Sequence, residues 1–470
     1  MRNGRMELEG KKVLVLGAGK SGINSATLLA RKGAVVALHD KKPVAEWSEA
    51  ARSLKENFGV GLIEGMLPSW LLDQIELVVI SPGVPSGIIP ARYVERKDGE
   101  VIGEVELAYR FLKNPFIGIT GSNGKTTTTT LVGRLLADAG IASHVGGNIG
   151  VPLVSMVEEI DADSWIVAEL SSFQLETIRD FRPRIGICLN VTPNHMDRYE
   201  LFSDYAAAKH RLFLNQTNED LAVLNADDEI TASWAKGLRS TVTMFSTRKE
   251  LKEGLFLRGR DLVSRAGGTE KVLTTRDEMQ LRGLHNVENV LAALAAGLAC
   301  GADPVSMRGT IANFNAVEHR LEFCGRIRGI SFYNDSKATS VDATKKALEA
   351  LSDEPGKIVL IMGGLGKKAP YAPIAGLIRE HARTLVLIGE DASNIEAQLG
   401  GVAETLKAES MYDAVRRSFE SAIKGDTVLL APACASFDMY KSFEERGAVF
   451  KEAVQDLAIS LGAVDASAGI

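Results

Sequence analysis

Twice within its first 130 residues this chain drives a short apolar strand into a glycine turn and straight on into a helical pattern, as KKVLVLGAGKSG from Lys11 and FIGITGSNGKTT from Phe116. A junction of this kind commits a chain to βαβ units, because the helix must carry it back to start the next strand parallel to the last. The alternation continues through AVVALHD and IELVVISPGV, then SWIVAEL, RIGICLNV and DLAVLNADD, and finally RGISFYNDS, KIVLIMGG, TLVLIGE and TVLLAPA. The reading is α/β throughout, in three domains. A Rossmann-like domain spans 1–103, a central P-loop-type domain with a mainly parallel sheet spans 104–317, and a second Rossmann-like domain spans 318–470. Helices are predicted near 21–32, 45–57, 125–140 and 284–299, with a small antiparallel insert over 246–282.

The second junction decides what chemistry is in reach. Read against the phosphate-loop pattern G-x-x-x-x-G-K-[ST], it fails by one residue, since Ile119 stands where the first glycine belongs. The physical requirements survive that failure. They are a strand that stops abruptly, a turn of inward-facing backbone N–H groups, and a helix whose N-terminus points at the anion. FIGIT, the turn Gly121-Ser122-Asn123-Gly124 and the helix opened by Lys125 supply them. Lys125 is placed to reach the β- and γ-phosphates of ATP, Thr126 to offer a hydroxyl to Mg²⁺, and Thr127 to add a second hydroxyl; the threonines after it have no assigned role. Neighbouring strand ends should converge on the same point. Glu169, closing WIVAE, is therefore a metal-ligand candidate, with a helix-start glutamate as the alternative. His195 and Asp197 sit in the turn after another buried-looking strand; Mg²⁺ prefers oxygen, so a structural histidine is the competing reading for His195.

The first junction, Gly17-Ala-Gly-Lys-Ser-Gly22 followed by Asp40 at the next strand end, is a Rossmann fingerprint. It keeps an NAD-dependent oxidoreductase open as an alternative, although the fingerprint reports a pyrophosphate cradle and says nothing of a nicotinamide. A regulatory GTPase is disfavoured because no base-reading N-K-x-D motif is present. A formal charge of −6 and a pI of about 5.8 argue against nucleic acid or an anionic membrane as the main partner. Cys188, Cys300, Cys324 and Cys434 lack metal or redox spacing and read as buried thiols of a reducing cytoplasm. The N-terminus reads as a first strand, not a secretory signal, and the alanine-rich run 286–302 as a buried helix, not a membrane span.

Taken together, T-G-S-N-G-K-T-T, AELSSFQLE, the NHMDRY turn, HNVENVLAAL, NDSKATS and APACASFDMYKSFEERG resemble the Mur ligases of peptidoglycan synthesis, in order and over nearly the whole chain. The last motifs, with ELSSFQLE, resemble the D-glutamate-adding branch; the D-N-P-R signature of the diaminopimelate- or lysine-adding branch and the T-H-G-K loop of the alanine-adding branch are absent. The resemblance implies that ATP phosphorylates the carboxylate of UDP-MurNAc-L-Ala and that D-glutamate attacks the acyl phosphate. It implies two Mg²⁺ ions, with Thr126 and Glu169 on the first and His195 on the second, Lys209 as an N-carboxylate (carbamate) helping to hold that second ion, and a cytoplasmic monomer. Read from the residues alone, Lys209 is a solvated helix lysine. Asn286 and Asn289 share a helix face for adenine, while Arg320 and Asp335 are assigned to the γ-phosphate and the ribose region. Thr339, Lys367, Ser436 and the Phe443 backbone are assigned to D-glutamate, and Gly19, Lys20, Ser21, Asp40, Ser81 and Asn148 to the UDP-substrate. One departure stands out: the family stretch before that lysine usually carries an aspartate, whereas this chain reads GGLGKK, with Leu365-Gly366 there and Lys368 as a substitute for Lys367. Because Lys125 and Arg320 fall on opposite sides of a predicted border, the resemblance also leads us to expect the third domain to close on the second.

Overall fold

The computed structural model describes residues 7–95, 99–193, 198–315, 318–352, 356–366 and 370–462. They divide into two compact units, one running to Asp277 and taking in Glu288–Ile311, the other formed by Glu278–Val287 with the residues from Ala312 onward.

The first unit holds two sheets. In the N-terminal sheet, β1 (Lys12–Leu16), β2 (Val35–Asp40), β3 (Gly61–Glu64), β4 (Leu77–Ile80) and β5 (Glu100–Gly103) are parallel in the order β3-β2-β1-β4-β5. The order reverses between β1 and β4, and in open α/β sheets the crevice at such a reversal is where ligands bind. The central sheet carries β6 (Phe116–Thr120), β7 (Ser143–Gly147), β8 (Trp165–Glu169), β9 (Ile185–Cys188), β10 (Leu221–Asn225), β11 (Thr241–Ser246), β12 (Gly254–Arg258), β13 (Asp261–Ala266) and β14 (Thr269–Thr275), in the order β14-β13-β12-β11-β10-β9-β6-β8-β7. Strands β6 to β12 pair in parallel, and β12, β13 and β14 form the antiparallel edge, so the predicted insert is an extension of this sheet. Every residue of β6 is buried, as expected for a parallel strand covered on both faces. The helix expected near 45–57 breaks into two short helices, Glu49–Arg52 and Leu54–Phe58, and the one expected to run to Gly140 ends at Asp138.

The helix Glu104–Phe111 joins the two sheets and buries two carboxylates to do so. Glu106 is fully buried and accepts the N–H groups of Arg179, Asp180 and Phe181 at 2.9–3.1 Å and the Arg110 Nε at 3.0 Å. Glu104 accepts the Val154 N–H at 2.9 Å through Oε1, while its Oε2 is buried without a hydrogen-bond partner. Burial pushes the Glu104 carboxyl up to about 7, against the pull of the Val154 and Leu153 N–H groups. A carboxyl whose folded pKa lies above its unfolded value contributes stability that is fully present below about pH 4 and is lost as pH rises through 7. Glu104→Gln should therefore gain stability relative to the parent between pH 5 and 8, by about 2–3 kcal/mol. Urea unfolding of both proteins at the two pH values measures this, and an unchanged difference would remove Glu104 as the cause.

In the second unit, β15 (Glu322–Ile327), β16 (Ile330–Asn334), β17 (Ile358–Gly363), β18 (Ala382–Ile388), β19 (Glu404–Lys407) and β20 (Thr427–Leu430) follow the order β15-β16-β20-β17-β18-β19, antiparallel only between β15 and β16. The long helix Phe443–Ser460 packs on β15 and β16.

Candidate active site

The glycine turn after β6 is held from outside by the turn after β9. Ser122 N–H donates to Asn190 O at 2.9 Å and Asn123 N–H to Asn190 Oδ1 at 2.9 Å. Ser122 Oγ donates to Thr192 O at 2.9 Å and also meets the Tyr205 hydroxyl at 3.0 Å. In this structure Ser122 and Asn123 use these groups to shape the loop. The donors aimed at an anion are the first-turn N–H groups of the 14-residue helix Lys125–Asp138, which by helix geometry have no intrahelical acceptor. Gly124 caps that helix at φ +83°, and a Cβ there would lie 2.2 Å from Asn289 Oδ1, so both conformation and space demand glycine. The threonine run acquires a purpose the sequence did not disclose: Thr126 to Thr129 are buried, and Thr128 Oγ1 donates to Asn289 Oδ1 at 3.3 Å, fastening the loop's helix to the helix Leu284–Ala299.

Two lysines converge on one carbonyl of this turn. Lys125 Nζ donates to Gly121 O at 2.8 Å and to Ser122 O at 3.2 Å, and Lys209 Nζ donates to the same Gly121 O at 2.9 Å. Lys209, expected from the residues alone to be solvated, is 1% exposed, with its ammonium 4.6 Å from the Tyr205 ring centre. Burial first, and the Lys125 charge second, bring its pKa down to about 7.

Glu169 ends β8 beside Ile119 of β6. It is 2% exposed; Oε1 accepts Asn148 Nδ2 at 2.8 Å, and Oε2 is buried with no hydrogen-bond partner. An orphaned carboxylate oxygen near a strand end, with the buried Thr126 at the start of the neighbouring helix, fits a Mg²⁺ ion that takes most of its ligands from water and phosphate. Among the described residues no group of three or more His, Cys, Asp or Glu side chains is arranged to hold a metal. His195 and Asp197 lie outside the described residues.

A cleft of about 600 Å³, within the usual range for a ligand site, opens at the order reversal of the N-terminal sheet. Gly19, Lys20, Ser21, Asp40, Ser81 and Asn148 all line it, bringing together every residue expected at the UDP-substrate. Gly19 caps the helix Lys20–Arg31, and a Cβ on Gly22 would lie 1.8 Å from Gly17 O, so strand and helix approach there only through glycine. Asp40 accepts the Ala18 N–H at 2.9 Å and the Lys42 N–H at 3.1 Å. Burial opposes ionisation, yet these N–H groups hold the carboxyl below its ordinary range, so it stays an anion bracing both loops. Lys20 Nζ donates to Gly150 O at 2.9 Å, tying the cleft to the central sheet's side.

In the second unit, the Leu321 N–H donates to Asp335 Oδ1 at 3.3 Å; desolvation pushes this carboxyl up to about 7, against that N–H and Arg320. Asn286 is buried, with Nδ2 on Arg282 O at 2.7 Å. Thr339 and Ser436 lie in the loops after β16 and β20, and Phe443 opens its helix, so its N–H belongs to the first-turn donors. What sequence reasoning missed is the group that organises them. Arg446, 2% exposed, donates to Ser336 Oγ at 3.0 Å, Ser336 O at 2.9 Å, Cys434 O at 3.1 Å and Ala435 O at 3.2 Å, while Ser336 Oγ donates to Phe443 O at 2.8 Å. In sequence it is one arginine in a charged helix start, and nothing local marks it as buried. Leu365 pairs with Ala435 through both backbone groups, so the GGLGKK departure keeps its loop in register with Ser436; Lys367 and Lys368 lie outside the described residues.

Fold and site define a phosphate-loop enzyme carrying a second, Rossmann-type cleft. The chain belongs to the Mur ligase family. The Mur ligase middle domain matches residues 119–297, the Mur ligase glutamate ligase domain residues 319–434, and the MurD-like N-terminal domain residues 11–103. Relatives called UDP-N-acetylmuramoylalanine–D-glutamate ligase include those of Solibacter usitatus, 47% identical over 96% of this chain and 99% of that one, and Koribacter versatilis, 46% identical over 96% and 99%. Among solved structures, a pseudomurein peptide ligase type C from Methanothermus fervidus (TM-score 0.57, 17% identity, 95% of this chain and 100% of that one) and a UDP-N-acetylmuramate–alanine ligase from Thermotoga maritima (TM-score 0.56, 20% identity, 95% and 99%) share the fold. Family membership displaces the oxidoreductase alternative. Among the described residues no helix is long and apolar enough to cross a membrane.

Proposed function

We propose that this protein joins D-glutamate to UDP-N-acetylmuramoyl-L-alanine at the expense of ATP, in the synthesis of peptidoglycan precursors. The observation that carries the reading is the meeting of Lys125 and Lys209 on Gly121 O, in a chain that matches D-glutamate ligases over 96% of its length.

The UDP moiety occupies the cleft, its pyrophosphate at the Gly19–Lys20 helix start. ATP lies on the phosphate loop, where Lys125 turns from the loop carbonyls to the β- and γ-phosphates and the Lys125–Thr127 N–H groups face them. A carboxylate oxygen of the substrate attacks the γ-phosphorus and ADP leaves. The D-glutamate amine, having lost a proton, then attacks the acyl carbon, and the C–O bond to phosphate breaks as the amide forms. Thr126 and Glu169 would hold a first Mg²⁺, and His195 with Lys209 as its carbamate a second; such ions would supply neutralisation of the negative charge of the phosphates. Lys209 suits that modification: with a pKa near 7 about half the side chains are neutral amines at pH 7, against roughly one in 2,000–3,000 for an ordinary lysine. Asn286 and Asn289 take adenine, and Arg320 and Asp335 the γ-phosphate and ribose region. Thr339, Ser436, Lys367 and the Phe443 N–H take the two carboxylates of D-glutamate. We assign 1–103 to the UDP-substrate, 104–317 to ATP and 318–470 to the amino acid, and place the enzyme in the cytoplasm as a monomer, in keeping with the family to which it belongs.

Phosphate release from ATP in the presence of UDP-MurNAc-L-Ala should be strong with D-glutamate and at background with L-glutamate, D-alanine, L-alanine or L-lysine. Equal release with any of these would overturn the assignment of the amino acid.

A further inference from the structure

One arginine outside the assigned site connects the cleft to the phosphate loop. Arg198 follows the turn after β9, yet its Nη1 donates to Pro82 O at 3.3 Å and its Nη2 to Val84 O at 3.5 Å, in the loop after β4. Residues 81 to 85 of that loop form one wall of the cleft. Both hydrogen bonds are long, but the guanidinium is fixed in other ways: Cζ lies 3.8 Å from the centre of the Phe173 ring, and Nη2 is 3.8 Å from Glu176 Oε2. A planar cation that stacks and forks in this way cannot be copied by an ammonium.

From Arg198 the contacts run on without a gap to the catalytic lysines. Tyr199 stacks on Phe173 with ring centres 5.8 Å apart, and its hydroxyl is bonded to Glu176. The Tyr199 ring meets Tyr205 edge-on at 5.4 Å. Tyr205 holds Ser122 Oγ at 3.0 Å and lies 4.6 Å beneath the Lys209 ammonium. A cleft wall and a phosphate loop some 40 residues apart in sequence are thereby set at one spacing.

We propose that Arg198 is a positioning residue for the UDP-linked substrate, holding the Pro82–Val84 wall so that the acyl end of the substrate reaches the phosphate loop. This rests on the reading that the cleft takes UDP-MurNAc-L-Ala. It predicts a split in the kinetics. In Arg198→Ala the KM for UDP-MurNAc-L-Ala should rise about 10- to 100-fold, the loss expected for hydrogen bonds to a charged group, while the KM values for ATP and D-glutamate stay within about 3-fold. Arg198→Lys should recover little of the loss, and Glu176→Gln should show the same selectivity at smaller size. An unchanged UDP-substrate KM in Arg198→Ala, or an equal rise for all three substrates, overturns the proposal. Should Arg198→Ala fail to fold, Arg198→Lys decides by the same criterion. Titration of UDP into the unmodified enzyme keeps the two ideas apart: no binding there means that the cleft reading has failed, whereas binding with an unaltered KM in the variants means that Arg198 alone has.

Discussion

Lys209→Ala should lower kcat by at least about 100-fold, with part of the loss restored by acetate or another small carboxylate. The side chain is 1% exposed and reaches the phosphate loop at Gly121 O, so its truncation opens a space beside that loop that a small anion can enter. An ammonium and a carbamate at this position predict opposite rescues. Were the native group an ammonium, alkylamines would restore activity and carboxylates would not; were it the carbamate, carboxylates would do so. The comparison is made by steady-state phosphate release with each additive, and turnover unchanged in the unrescued variant would take Lys209 out of the mechanism. Mass measurement of the intact protein at raised bicarbonate is an independent check on the added CO₂.

Lys125→Ala is expected to lose on the order of 10³-fold in kcat/KM for ATP, in the range for removing a preorganised cation or donor from developing charge. Its effect on folding should be small, since its ammonium contacts include two carbonyls at the loop's rim, while the loop is shaped by Ser122, Asn123 and Asn190. Thermal unfolding of Lys125→Ala within about 2 °C of the parent, together with the kinetic loss, would separate a chemical role from a structural one. A loss below about 10-fold would mean that the first-turn N–H groups carry the phosphates without it.

The phosphate loop was legible because its demands are local: a strand end, a turn needing Gly124, and a helix start all lie within about ten residues. The cleft of the N-terminal sheet was legible for the same reason, with Gly17 to Gly22 and Asp40 within one βαβ unit. Lys209 was opaque without the family resemblance. It follows three alanines near the end of an ordinary helix, and the carbonyl that receives its ammonium is 88 residues away. Arg446 escaped notice on similar grounds, with acceptors at Ser336, 110 residues back. The strands Ser143–Gly147 and Thr241–Ser246 went unseen since neither SHVGG nor TVTMFS carries a continuous apolar run; their pairing partners make them strands. That Ser122 and Asn123 are engaged by Asn190 and Thr192 could not be read in advance, because a sequence shows which groups are available and not which are already engaged.

The two glutamates of the helix Glu104–Phe111 have a meaning beyond stability. By pinning the N-terminal sheet to the segment 179–181 and to Val154, they keep the cleft and the phosphate loop from drifting apart. The pair then acts as a ruler. On the function proposed above, a nucleotide sugar of the right length, seated by its pyrophosphate at one end, would present its carboxylate to the loop at the other. One lacking the lactyl-alanine arm would fill the cleft and leave the far mark of the scale unreached.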